Sequence, residues 1–158
     1  MKTKYLKKIA TVTLALVMVL TMQITVFAAS ISKTNSGGWT IGLQSGAEGD
    51  SNTITYSFSN APSNAKATTV KLEATYLQHI GTDAIVAEYV VITAPSGEMH
   101  IIPWGSGNTT TTTLFTGEKV KGDWQAYMIG KSYPSTGSIG YSYTVYKPVK
   151  LTITYVTS

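Results

Sequence analysis

The chain has 158 residues, with twelve lysines, eight carboxylate side chains and no cysteine. Four of the lysines precede residue 9, so the chain after the leader carries eight lysines against eight carboxylates. A net charge near zero does not favour nucleic acid or an anionic membrane as partners, and we expect neither of them after the leader is removed. Without disulfides the domain depends on packing alone, and about 130 residues suffice for one core.

A basic segment followed by an apolar one opens the chain. Lys7 and Lys8 precede an uncharged run from Ile9 to Ala29, and Val26-Phe27-Ala28 supplies small residues at the spacing of a cleavage site. This order predicts a secretory signal peptide at residues 1–28 and one domain at residues 29–158. A membrane anchor is the alternative, because the run is just long enough to span a bilayer. We expect a secreted, extracellular or cell-surface protein of bacterial type.

Alternation of apolar and polar side chains, with a period of two residues, predicts strands along the rest of the chain. Residues 30–38 lack this alternation, and their Ser, Asn, Lys and Gly content predicts a flexible entry. Five threonines in a row, Thr109 to Thr113, predict a solvent-facing edge strand. The alternating or β-rich segments are 39–43, 53–59, 69–76, 84–93 and 98–103.

The clearest alternation lies between Leu114 and Tyr146. Trp124, Ala126 and Met128 share one face, which we expect to be buried. A Pro-Ser-Thr-Gly turn at 134–137 then predicts a hairpin whose second strand adds to the same apolar layer. The inward residues of that second strand are predicted to be Ile139, Tyr141, Tyr143 and Val145.

The last segment keeps the same parity, with apolar residues from Val149 to Tyr155. Pro148 predicts a kink before it, and therefore a separate strand with one end at a sheet edge. Eight to nine short strands, turns rich in Gly, Pro and Asn, and no helical period predict an all-β fold. The expected architecture is an antiparallel β-sandwich, either jelly-roll or immunoglobulin-like.

Residues 76–146 resemble the P domain of proprotein convertases. The run from Phe115 to Glu118 is similar to its F-x-G-E motif, and Gly122-Asp123-Trp124-Gln125-Ala126 to its G-x-W-x-L motif, with Ala in place of the final Leu. Ala94-Pro95-Ser96-Gly97 resembles its S-P-x-G-T turn, and Gly137 to Tyr141 its following G-x-L strand. The resemblance implies a jelly roll that serves as an accessory module, and it assigns a function to no individual residue.

Catalytic patterns are weak in this sequence. His79 and His100 are its two histidines, and no G-x-S-x-G motif accompanies them. Glu88 lies in an apolar strand where burial would raise its pKa, as a general acid requires, but an edge position or a lysine partner such as Lys71 is the simpler interpretation. We expect no enzyme, and a small secreted hydrolase is kept as an alternative.

A glycine-punctuated loop offers the one candidate metal site. Glu48, Asp50 and Asn52 alternate there, and oxygen ligands at such spacing can converge on calcium. A solvated loop without metal is the alternative, because the EF-hand pattern is absent. The expectation is no cofactor, with calcium as the single candidate.

Aromatic side chains outside the expected core point to binding. Trp104 lies between Pro103 and Gly105 in a predicted loop, where its ring would face solvent, although it could instead fold back over the core edge. The candidate ligand-binding residues are Trp104, Trp39 and His100.

Three functions follow from these observations. The leading hypothesis is a non-catalytic binding or accessory module that recognises a glycan, a cell-wall polymer or a protein partner. A structural or self-assembling extracellular protein is the first alternative, because a Thr-rich edge can template strand addition. The hydrolase described above is the second.

Overall fold

A computed structural model describes residues 28–137 and 140–157. The predicted signal peptide therefore lies outside the described residues, apart from Ala28. The described part contains ten strands and no helix, so no helix there is available to cross a membrane. The strands are β1 (Ala29–Asn35), β2 (Trp39–Gln44), β3 (Glu48–Asp50), β4 (Ile54–Ser57), β5 (Ala65–Ile80), β6 (Ala84–Thr93), β7 (Met99–Pro103), β8 (Thr109–Thr112), β9 (Asp123–Tyr133) and β10 (Tyr141–Thr157).

The strands form two antiparallel sheets. Sheet A has the order β8-β5-β10, with β1 and β2 sharing the far side of β10. Sheet B has the order β7-β6-β9, with β3 and β4 sharing the far side of β9. β1 and β2 together occupy one position in sheet A, and β3 and β4 together occupy one in sheet B, so each sheet has four positions. The chain passes through these eight positions in the order of a jelly roll. The predicted β-sandwich is confirmed, and of the two predicted architectures it is the jelly roll.

The sequence-based count of eight to nine strands omitted β3, which lies in the predicted glycine-punctuated loop and pairs with β9. It also omitted β1, which was predicted to be a flexible entry. That prediction is wrong, because β1 pairs with β10 from Ala29 opposite Tyr155 to Asn35 opposite Val149. Hydroxyl groups join the two strands: Ser30 to Thr154 at 3.1 Å and Ser32 to Thr152 at 2.9 Å. A polar edge strand of this kind is held by cross-strand pairs and needs no apolar period.

The predicted hairpin between β9 and β10 is also wrong, because the two strands belong to different sheets. The turn between them carries the chain from sheet B to sheet A. The predicted inward face of β9 is confirmed, since Trp124, Ala126 and Met128 are fully buried. The Trp124 Nε1–H group donates to the carbonyl of Val120 at 3.0 Å, and its ring meets Phe115 edge to face at 5.3 Å. Aromatic rings thus fill the centre of the sandwich.

β10 is one continuous strand inside sheet A, and neither its predicted division nor its predicted edge position at Pro148 occurs. Its pairing with β5 shifts register between Tyr146 and Val149, which changes the face of the strand that points inward. Beyond the shift, the residues from Val149 to Ile153 bury their apolar side chains. Before it, Ser142 and Thr144 are buried. The predicted inward positions of Tyr141, Tyr143 and Val145 are therefore wrong: both rings face solvent, and Val145 lies half-buried on the same face. Ile139, the fourth predicted inward residue, lies outside the described residues.

Candidate functional site

Trp39, one of the predicted ligand-binding residues, lies in the core. Its side chain is fully buried on β2, and its Nε1–H group donates to the carbonyl of Ala126 in the opposite sheet at 3.2 Å. A ring enclosed between two sheets cannot contact a surface ligand, so its assignment to a binding site is corrected. Alternation in β2 places Trp39, Ile41 and Leu43 on the same buried face.

Trp104 folds back over the edge of the core instead of facing solvent. Its ring is half-buried and stands edge to face with Trp39 at 6.0 Å and with Tyr146 at 6.5 Å. Its backbone N–H donates to the carbonyl of Glu88 at 2.8 Å, which continues the β6–β7 pairing past Pro103. The prediction of an exposed loop tryptophan is wrong, because neighbouring aromatic rings offer more contact than water does.

The two histidines lie apart, and each has a local partner. His100 Nε2 lies 2.8 Å from Glu98 Oε1, and its ring packs edge to face on Phe115 at 4.9 Å. His79 Nδ1 lies 3.0 Å from the Thr144 hydroxyl. His100 thus packs against the buried ring of Phe115 at one side of the core. The predicted role of His100 in ligand binding stays a prediction.

Two of the three candidate calcium ligands, Asn52 and Glu48, have other side-chain contacts. The Asn52 side chain accepts from the backbone N–H of Thr40 at 2.9 Å and donates to the carbonyl of Gly38 at 3.0 Å. Glu48 forms an ion pair with Lys131 at 2.6 Å. The described residues hold no group of three or more His, Asp or Glu side chains suited to a metal. Asn52 therefore ties β2 to the loop before β4, and calcium at this loop stays a prediction.

Glu88 has a tyrosine as its partner instead of the lysine that the sequence suggested. The Tyr133 hydroxyl donates to Glu88 Oε1 at 2.8 Å, and this hydrogen bond raises the pKa of Tyr133. Lys71 pairs with Glu73 at 2.8 Å on the other sheet. Glu88 thus lies half-exposed at a bulge of the inner strand β6, so the predicted edge position and the predicted lysine partner are both wrong.

Aromatic side chains do reach the surface at a place that the sequence analysis missed. Tyr141 and Tyr143 stand on the outer face of sheet A with exposed fractions of 57% and 42%. Their ring centres are 6.3 Å apart, and their planes differ by 22°. Ile80 lies opposite Tyr143 on β5, and Gln44 lies opposite Tyr141 on β2. We call these four residues the tyrosine platform.

Gly42 explains why the Tyr143 ring lies flat on the sheet. It is the cross-strand partner of Tyr143 on β2, and a Cβ atom placed there would lie 2.5 Å from Cε1 of the ring. Glycine therefore leaves the space into which the ring extends across β2. An aromatic ring over a cross-strand glycine is a known device for covering the bare backbone of a sheet. Tyr141 lies nearly parallel beside it, and the two rings together form one exposed aromatic cluster.

A buried polar network lies beneath the platform. The backbone N–H of Asp83 donates to the Ser142 hydroxyl at 3.1 Å, and the Ser132 hydroxyl donates to Asp83 Oδ2 at 3.4 Å. Asp83 Oδ1 accepts from the backbone N–H of Ser135 at 3.2 Å, which ties the turn between the sheets to the same group. Asp83, Ser132 and Ser142 are all nearly inaccessible to solvent. These bonds allow polar side chains to point inward, and the tyrosines consequently point outward.

The platform combines an aromatic surface with polar groups. An open depression of about 420 Å³ adjoins it and is lined by Gln44, Ser45, Gly140 and Tyr141. Exposed tyrosine rings can stack on a flat apolar surface of a ligand, and the amide of Gln44 can both donate and accept hydrogen bonds. A sugar ring, apolar on its faces and polar at its rim, has the matching chemistry.

Comparisons with known proteins concern the fold. No protein-family model matches this chain, and no curated protein matches its sequence. Among solved structures, a protein of Eubacterium rectale that is thought to be secreted has a TM-score of 0.52 at 12% identity, over 84% of this chain and 41% of that one. This chain thus spans about two fifths of that protein. Such a likeness shows the β-sandwich fold alone.

Two further solved structures are more distant. FLHE has a TM-score of 0.47 at 14% identity, over 81% of this chain and 96% of that one. The carbohydrate-binding module TmCBM61, solved with β-1,4-galactotriose, has a TM-score of 0.34 at 6% identity, over 77% of this chain and 86% of that one. The jelly roll that the P-domain resemblance implied is present, but none of these comparisons points to the P domain itself.

Proposed function

We propose that this protein is a secreted, non-catalytic module that binds a glycan through the tyrosine platform. One observation supports this more than any other: β10 exposes Tyr141 and Tyr143 while it buries Ser142 and Thr144. Secretion rests on the basic and apolar leader of the sequence. The non-catalytic role rests on the separation of His79, His100 and Glu88, each of which has a local partner.

The energetics of β10 favour a binding role for the exposed rings. Burying a large apolar side chain is worth about 1.5–3 kcal/mol, so a strand that exposes two tyrosine rings forgoes stability. A ligand that stacks on the rings recovers this free energy in the complex. Glycans suit the surface because their rings present C–H faces to the aromatic rings and hydroxyl groups to Gln44.

Binding of the mature chain, residues 29–158, to a panel of soluble cell-wall and plant polysaccharides tests the proposal. Tyr141→Ala and Tyr143→Ala should each weaken binding at least about tenfold, as aromatic anchors do when they are truncated. Their melting temperatures should change little, because both rings are exposed. Affinity electrophoresis and titration calorimetry give the affinities, and thermal melts on the same samples give the stability.

Tyr89→Ala is the matched control for this test. Tyr89 has the same exposed fraction as Tyr143, 42%, but stands on β6 in sheet B. The control should bind like the parent. Equal losses in all three variants, or retained binding in both platform variants, would refute a glycan site at the platform.

A second candidate function, self-association, is favoured by the edge of sheet B. Among the described strands, β7 ends this sheet, and its Met99 and Ile101 side chains are 57% and 59% exposed. Two hydrogen bonds fix the orientation of the β7 backbone: Ala94 N–H donates to the Glu98 carbonyl, and Trp104 N–H donates to the Glu88 carbonyl. The even-numbered residues of β7 therefore point their backbone groups toward β6. The backbone groups of Met99 and Ile101 therefore point to the open edge.

A second copy of this chain fits that edge. Two β7 strands related by a two-fold axis at His100 place Met99 of one copy opposite Ile101 of the other, with matching apolar side chains and outward backbone groups. Pro103 limits the pairing, because it has no N–H and its carbonyl already accepts from the Thr110 hydroxyl at 3.1 Å. β7 carries no charged residue that would oppose such pairing.

Light scattering during size-exclusion chromatography tests the second candidate. The mature chain should form a dimer at high concentration, and Ile101→Lys should make it monomeric because a charge at the seam opposes pairing. Val86→Lys is the control, since Val86 is also exposed but lies on the inner strand β6. A monomeric parent chain at every concentration, or a dimer unaffected by Ile101→Lys, would exclude pairing through β7.

A further inference from the structure

Positive charge is concentrated on the strands of sheet A, although the mature chain as a whole is neutral. The strands of sheet A carry five lysines and one carboxylate, a net charge of about +4. All other residues from position 29 onward carry three lysines and seven carboxylates, a net charge of about −4. The five lysines of sheet A are Lys33, Lys66, Lys71, Lys147 and Lys150. An overall charge near zero therefore hides one basic sheet.

The single carboxylate of sheet A does not cancel this charge. Glu73 forms an ion pair with Lys71 at 2.8 Å, and it stands opposite Lys150 on β10. The Lys71 hydrogen bond, together with the charges of Lys71 and Lys150, holds the pKa of Glu73 below its usual value. Lys147 and Lys150 are exposed on either side of Pro148. This part of β10 presents positive charge to solvent.

A groove lies beside Lys150 on sheet A, and its lining includes none of the platform residues. It has a volume of about 400 Å³, and its lining includes Thr34, Asn108, Pro148 and Lys150. Glu73 also lines it, with its carboxylate held in the ion pair with Lys71. Tyr143 and Lys150 both point outward on β10, separated by seven residues, or roughly 20 Å at the rise of a strand. That span exceeds the length of one sugar ring. A ligand that contacts both regions must be a chain that lies along β10.

We propose that the glycan bound by this protein is an anionic linear polysaccharide, with uronate or phosphate groups, that lies along β10 from the tyrosine platform to Lys147 and Lys150. This inference rests on the glycan-binding function proposed above and specifies its ligand class. The tyrosine rings stack on sugar rings at one end, and the lysine ammonium groups pair with the acidic groups at the other. Hydroxyl and amide groups of the groove beside Lys150 hydrogen-bond the sugar hydroxyls at the lysine end.

The test compares polymers that differ only in charge. Polygalacturonate and its fully methyl-esterified form share one backbone, and alginate and a phosphate-bearing cell-wall glycan extend the anionic set. The mature chain should bind at least one anionic polymer about tenfold more tightly than the neutral one, with an affinity that falls as salt rises. No binding to any anionic polymer, or equal binding to the charged and neutral forms, would overturn the proposal.

Paired variants then locate the contact. The double variant Lys147→Gln/Lys150→Gln should bind the anionic polymer about tenfold more weakly and lose the preference for it over the neutral form. Lys119→Gln/Lys121→Gln removes two exposed lysines between β8 and β9 and should bind like the parent. A loss in the control pair equal to that in the test pair would mean general charge attraction and would overturn the assigned groove.

The platform variants separate this proposal from the function on which it rests. Charge-independent binding that requires Tyr141 would leave the glycan site in place and overturn its anionic class. Charge-dependent binding that is unchanged by Tyr141→Ala and Tyr143→Ala would overturn the glycan platform and, with it, this proposal. Cosedimentation with vesicles containing anionic phospholipid is measured in parallel, and binding to vesicles without binding to any polymer would assign sheet A to a membrane surface instead.

Discussion

The two halves of β10 obey opposite rules. From Val149 to Ile153 the apolar side chains are buried and Lys150 is exposed, as in an ordinary sandwich strand. From Tyr141 to Thr144 the serine and threonine side chains are buried, and the two tyrosine rings face water. The same strand thus contributes to the core at one end and presents a surface at the other. Strands of a sandwich ordinarily bury their aromatic side chains, so packing does not explain why this half of β10 exposes two of them. Ligand binding is our explanation.

The polar half is stable because its buried groups are bonded. Ser142 and Ser132 both reach Asp83, and Thr144 reaches His79, so the inward hydroxyl groups have partners. Buried polar groups with partners cost little, whereas an unpaired one costs several times as much. The network therefore replaces apolar packing beneath the platform. The predictions below test this difference between the halves.

The largest effect is expected for the apolar half. Leu151→Ala removes a fully buried side chain from the inward face of β10 and should lower the free energy of unfolding by about 2–5 kcal/mol. Chemical denaturation of the purified variant measures this loss. Thr152→Ala, at the next and half-exposed position, is the control and should cost no more than the one exposed hydrogen bond to Ser32 that it removes, about 1 kcal/mol. A Leu151 variant as stable as the parent would show that the apolar half of β10 is peripheral to the core.

A smaller loss is expected for the polar half. Ser142→Ala removes the acceptor of the Asp83 backbone N–H, and a buried group left unpaired costs about 1–3 kcal/mol. The control is Ser135→Ala, because Ser135 contacts Asp83 through its backbone and keeps that bond. Denaturation of both variants gives the comparison. Equal stability of the two would mean that the network does not support the platform.

Gly42→Ala should change binding more than stability. The added Cβ atom would occupy the space of the Tyr143 ring, so the ring must tilt away from β2. We expect a loss of about 1 kcal/mol of glycan-binding free energy, less than removal of the ring causes. Val86→Ala is the control, because Val86 is exposed on β6 in sheet B, away from the platform and the groove. Unchanged affinity in the Gly42 variant would show that the flat position of the ring is not needed.

The smallest effect concerns alkaline pH at the junction of the halves. Burial raises the pKa of Tyr146 and of Tyr56, whose hydroxyl donates to the Val149 carbonyl at 3.5 Å. An unfolded tyrosine ionises near pH 10, so both phenols contribute stability that is complete below about pH 10 and is lost as the pH rises toward the raised values. Tyr56→Phe should reduce this alkaline loss, as measured by denaturation at neutral pH and above pH 10. An identical alkaline loss in the variant would contradict a buried Tyr56 phenol.

The sequence by itself was sufficient for much of the fold. Period-two alternation identified most of the strands and the buried face of β9, and the run of threonines identified the edge strand β8. It failed for β1, because a polar edge strand has no apolar period and is recognised only by its partner. It also failed for the turn at 134–137, because a turn signal does not tell whether the next strand pairs with the previous one or joins the opposite sheet.

The site depended on tertiary structure. Along residues 141–145 aromatic and hydroxyl side chains alternate, and the pattern is equally regular with either face inward. The choice is made elsewhere: the register shift at residues 146–149 reverses the inward face of β10, Asp83 provides partners for buried hydroxyl groups, and Gly42 leaves space for a ring on the outer surface. Trp104 was misassigned for the related reason that its burial depends on Trp39 and Tyr146, which are distant in sequence. Composition determined the overall charge, but only the assignment of each lysine to a sheet revealed a basic surface, because charge separation is a property of positions in space.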